Sequence, residues 1–117
     1  MGDNSLIILF KYIFRRYGEK MKLMIDGVFY NREVIDFESI MRGIMGIVGE
    51  DIITRSLEFP EIGAVVGDTY YYRCGFTLDK ELNERLDREE LNKIKEDIIK
   101  LFPKDTLIYS LNCEIYE

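Results

Sequence analysis

The side chains that could do chemistry in this 117-residue chain are Tyr, Arg, Asp, Glu and two Cys, because there is no His. Without imidazole it lacks the usual general base near neutral pH, the commonest zinc ligand and the base of a hydrolytic triad. Four residues stand out instead: Arg55 and Glu58 in the run IITRSLEF, and Tyr71 and Arg73 in TYYYRCGFTL. Both runs alternate as strands do, and Tyr71 and Arg73 share the side opposite Tyr70, Tyr72, Cys74, Phe76 and Leu78. An aromatic ring beside a guanidinium on an exposed sheet face can stack a planar ligand or anchor a protein interface. These four are the candidate ligand- or partner-binding residues. No pair of carboxylates stands out as an acid/base dyad, so no catalytic residue is assigned and the chain reads as a binding protein more than as an enzyme.

Cys74 and Cys113 both fall on the apolar sides of their strands, where Cys behaves as a small hydrophobe. Two Cys without His do not complete a zinc site, and Glu58, Glu61 and Asp68 are a scatter of carboxylates without the ordered oxygen cage that a hard cation needs. No metal and no cofactor is expected. Gly43, Gly46 and Gly49 recur every three residues in RGIMGIVG, which is similar to the GxxG loop with which KH domains clamp a nucleic-acid backbone. Apolar Ile44 and Met45 between the glycines favour close helix packing instead. The stretch RCGF, from Arg73 to Phe76, resembles part of the base-stacking motif of RRM domains, with Cys74 interrupting the expected basic-Gly pair. A helix with Gly43 and Gly46, then a strand, Gly67-Asp68 and a strand bearing Cys74, resembles the closing section of ligand-binding domains of the 4-vinyl reductase type. Here the chain continues for about forty residues and has no Cys before the Gly-Asp, so no ligand site is carried over.

The elements that must position these residues follow from periodicity. In SLIILFKYIFRRYGEK, Leu6, Phe10, Ile13 and Tyr17 line one helical face, which predicts an amphipathic helix over residues 1–20 whose apolar stripe serves as an interface. MKLMIDGVFY alternates, with Leu23, Ile25, Gly27 and Phe29 on one side. Val34, Phe37, Met41, Ile44 and Val48 have helical spacing and predict a helix over 34–48. Strands are expected over 52–59 and, after a Gly67-Asp68 turn, from Thr69 to Leu78, with 79–86 a loop or the first turn of the next helix. Asp87 and Glu90 have capping-box spacing, Leu91, Ile94, Ile98 and Leu101 mark the buried face of that helix, and Pro103 ends it. The last strand, TLIYSLNCEIY, is expected to bury Leu107, Tyr109, Leu111, Cys113 and Ile115. Together these predict an α+β fold: a ferredoxin-like βαββαβ antiparallel sheet forming one domain over 21–117, with the N-terminal amphipathic helix added.

Hydrophobic residues at 47% and charged residues at 32% suffice for one core without disulfides. Sixteen Ile and thirteen Glu against one Ala and no Gln give a thermophile-like composition. The chain is acidic, at −6, and unevenly so: residues 1–22 carry +3, which leaves −9 for the rest. That balance argues against a nucleic-acid partner. No apolar run is long enough to span a membrane, and the start MGDNS lacks the cationic region of a signal peptide, so a cytoplasmic setting is expected. The function expected is a non-catalytic binding or regulatory module that forms a homo-oligomer or meets a protein partner. Two alternatives stand beside it: a small-ligand sensor or small enzyme with a pocket between sheet and N-terminal helix, and an acidic inhibitor mimicking nucleic acid.

Overall fold

The structure is a computed structural model that describes residues 21–117, with the side chains of 59–61 left undescribed. Along the chain come β1 (Met21–Asn31), α1 (Phe37–Val48), β2 (Ile52–Val66), β3 (Thr69–Leu82), α2 (Arg88–Ile99) and β4 (Leu107–Tyr116). The strands form one antiparallel four-stranded sheet in the order β2-β3-β1-β4. The alternating apolar residues of β1 explain its central place: Leu23, Ile25, Gly27, Phe29 and Asn31 are all buried on one face. β1 pairs with β3 in unbroken register from Met21↔Leu82 to Asn31↔Tyr72.

Both helices lie on that same face. Asp36 caps α1 by accepting from the Glu38 N–H at 3.2 Å, so the helix begins after Val34, which is exposed. Asp87 and Glu90 form a complete capping box at the start of α2, with reciprocal bonds of 2.8 and 3.2 Å. Ile40 and Ile44 of α1, Ile98 of α2 and Phe102 just beyond it close the core over β1 and β3. Phe29 is its centre, stacked on Phe102 at 4.1 Å and on Phe76 at 5.8 Å between ring centroids. Gly43 sits against Leu101, where a Cβ would lie 2.6 Å from a leucine methyl, so the two helical segments meet at that point.

These observations correct the expected ferredoxin-like sandwich with an added N-terminal helix. The described residues form a mostly-sheet molecule, with strands of 11, 15, 14 and 10 residues against two helices of 12. The sheet begins at Met21, and the helix predicted over 1–20, with Leu6, Phe10, Ile13 and Tyr17, lies outside the described residues. Where the sequence pattern ends the second strand at 59, β2 runs on to Val66, and β3 takes up 79–82, which the pattern gave to a loop or helix turn. The physical reason is bulging. Pairing of β2 with β3 slips between Thr54 and Ser56, Glu58 and Glu61, and Ile62 and Ala64, so Pro60 and Gly63 are absorbed without ending the strand. Gly67, at φ +62, opens the two-residue turn while Asp68 keeps a negative φ, the pattern of a type II′ hairpin. A 15-residue strand spans ~50 Å. A 12-residue helix rises only ~18 Å, so the helical layer cannot cover the whole hairpin.

Candidate functional site

Two surfaces result, one on each face of the sheet. On the face away from the helices, β3 presents Tyr71, Arg73, Gly75, Thr77 and Asp79 in alternation, beside Met24, Asp26, Val28 and Tyr30 of β1. The Arg73 guanidinium lies over Gly75, about 3.5 Å from where a Cβ would stand, and donates to the Glu58 carboxylate of β2. Tyr30 leans across the same strand. Its ring passes so close to Gly63 that a Cβ there would lie 2.6 Å from Cε1, and Tyr109 of β4 meets it edge-on at 6.3 Å. The Thr77 hydroxyl donates to Asp26 at 2.8 Å.

Of the four predicted site residues, the structure joins Arg73 with Glu58 and sets Arg55 apart. Arg55 occupies the first bulge of β2 and reaches Asp79, its Nε 3.6 Å from a carboxylate that is almost fully buried. Tyr71 lies half-buried, two residues before Arg73 on the same side and opposite Ala64. Tyr116 joins the Arg55–Asp79 pair. Burial first, then the Asp79 hydrogen bond and charge, raise its phenol above the ordinary value, offset in part by Arg55. The group is a hydrogen-bond donor at neutral pH and not a base.

The second surface is on the helix side, in the outer half of the β2–β3 hairpin. Leu57, Ile62 and Val65 of β2 pair across to Phe76, Tyr72 and Tyr70 of β3, so all continue the core face. The helices cover Phe76 but do not reach Leu57, Ile62, Val65 or Tyr70. Leu57 is 44% exposed, Ile62 60%, Val65 57% and Tyr70 59%. The core pattern of the strands thus runs past the layer that buries it, which leaves an apolar stripe in the open.

Over 109 residues the chain is 51% identical to the uncharacterized protein MJ0639 of Methanocaldococcus jannaschii, a match covering 93% of this chain and 97% of that protein. The chain belongs to the MJ0639 family. No family model matches it, and no solved structure does. For a member of the MJ0639 family the chemistry must therefore be read from the side chains themselves. Cys74 and Cys113 are free and buried under the helices. Burial pushes the Cys74 thiol up to about 12, against a smaller opposing pull from Arg73, and the Cys113 thiol up to about 11, opposed by Lys95. Neither is a thiolate nucleophile at neutral pH. Among the described residues no three Cys, Asp or Glu side chains converge as metal ligands do, and no helix is long and apolar enough to cross a membrane.

Several site residues escape the sequence reading. Tyr30 was within its reach, since the alternation of β1 already puts it on the outer side with Asp26 and Val28. So was Tyr116, opposite Ile115 in the alternation of the last strand, whereas Asp79 was not, because 79–86 gives no strand signal. Tyr109 is a correction: expected to be buried, it is 76% exposed. Between Val28 and Phe29 the register of β1 on β4 skips from Ser110 to Ile108, and the bulged Tyr109 turns outward.

Proposed function

We propose that the chain is a non-catalytic binding or regulatory module that pairs with a second copy of itself through the apolar face of the outer β2–β3 hairpin. The observation that carries this reading is the stripe of Leu57, Ile62, Val65 and Tyr70 on an arm the helices leave bare. Completing the burial of such side chains contributes about 1 kcal/mol each, set against the freedom lost on association. Strand-to-strand addition at the β2 edge is disfavoured by Pro60 and three bulges, which break the row of free backbone groups that edge pairing requires. What remains is contact face to face. A two-fold axis places the same stripe on both partners, so one patch suffices for a closed dimer. The open face supports this choice by contrast, because Arg73 is engaged with Glu58 and Arg55 with Asp79. Protein purified without denaturation and examined by native mass spectrometry should appear as a multiple of 13.9 kDa with no small molecule retained. A stoichiometric copurified metabolite would make the chain a ligand sensor instead.

A further inference from the structure

At the end of the sheet opposite the hairpin tip, a groove of about 510 Å³ opens between the C-terminal turn of α1 and the first turns of α2. Its floor is apolar: Leu23, Ile47, Val48, Leu82, Leu86 and Ile94. Its rim is acidic. Asp87, Glu89, Glu90 and Asp97 surround a single Lys93, which already pairs with Asp97 at 3.0 Å. The chain enters the sheet at this groove, since Met21 pairs with the floor residue Leu82 and Leu23 belongs to the floor itself. Immediately before Met21 stand twenty residues with the opposite character, an apolar stripe of Leu6, Phe10, Ile13 and Tyr17 beside Lys11, Arg15, Arg16 and Lys20.

We propose that residues 1–20 of the same chain fill the groove, with the apolar stripe on its floor and the cations along its acidic rim. The lengths agree. Wound as the helix its pattern predicts, the apolar stripe from Leu6 to Tyr17 spans ~17 Å, and the rim from Asp87 to Asp97 on α2 spans ~15 Å. Gly18 and the two residues after it allow the chain to turn back from the start of β1. Half-buried Leu86 and Ile94 gain cover, and the most basic part of an acidic chain meets an acidic rim. The groove is separate from the hairpin stripe, so this inference and the proposed assembly stand or fall independently.

Limited trypsin digestion of the full chain tests it, because the four cations are cleavage sites. Cleavage at Arg15, Arg16 and Lys20 should be slow in the native chain and about ten-fold faster in Glu89→Lys/Glu90→Lys, since proteolysis follows the population of the released state. Adding Lys11→Glu/Arg15→Glu to that variant should restore protection at Arg16 and Lys20, a rescue that misfolding could not produce. A second experiment asks which copy supplies the segment. Oxidation of Phe10→Cys/Ile94→Cys should yield a disulfide within one chain, running at 13.9 kDa on a denaturing gel. Equal cleavage rates in native and charge-reversed chains, a cross-link at twice that mass, or protection that appears only with anionic vesicles would each overturn the proposal.

Discussion

The inner and outer halves of the β2–β3 hairpin are built from the same two strands with the same alternation, yet one is core and the other is surface. Leu78, Phe76 and Cys74 lie under the helices and are buried, whereas Tyr70 on the same side of the same strand is 59% exposed. Nothing in the strand changes between them. What changes is the reach of α1 and α2, each 12 residues long over a hairpin of 15-residue and 14-residue strands. Alternation therefore decides which way a side chain points, and a separate element decides whether it is covered.

The largest effect should come from the covered half. Replacing Phe29 by Ala removes the ring that stacks on both Phe76 and Phe102 and should cost about 3–5 kcal/mol in denaturant unfolding. By contrast Val65→Ala, read on the monomer at low concentration, should lie within about 0.5 kcal/mol of the parent. Equal losses at the two sites would mean that the outer hairpin is buried in the monomer and would erase the distinction.

A smaller effect sharpens the same contrast through pH. The folded thiols of Cys74 and Cys113 titrate near 12 and 11, while an unfolded chain releases its thiol protons near 9.0. Above that value the folded state holds more protons than the unfolded one, so stability is full below pH 9.0 and falls as pH rises towards about 12. In Cys74→Ala the alkaline fall should be shallower; an unchanged slope would mean the thiol is not buried in the core. The smallest effect belongs to the open face. Arg73→Ala breaks a solvent-exposed pair with Glu58 and should change stability by less than ~1 kcal/mol, and by less still in high salt.

Local signals were legible wherever the chain satisfies its own needs nearby. The Asp87–Glu90 box could be read from four residues because both of its bonds lie within one turn. The alternation of Leu23, Ile25, Gly27 and Phe29 fixed the covered side of β1, and helical spacing found Ile44. Less was legible where pairing is non-local. Pro60 and Gly63 look like strand ends, and only the register against β3 reveals that bulges carry β2 past them. The outward turn of Tyr109 likewise depends on a slip against β1 that its own alternation hides. At the candidate site, alternation sets Arg73 on the outer side of β3, and its guanidinium meets the Glu58 carboxylate of β2. Asp79 was missed because its burial beside Arg55 depends on neighbours in three other strands.

The central claim, assembly through the bare half of the hairpin, is tested most directly by light scattering on the native chain beside Ile62→Lys/Val65→Lys. Both substitutions fall on exposed positions outside the core, so the variant should fold, and its mass at micromolar concentration should be 13.9 kDa while the native chain gives a multiple of it. A native chain at 13.9 kDa, or a variant that stays assembled, would contradict the account.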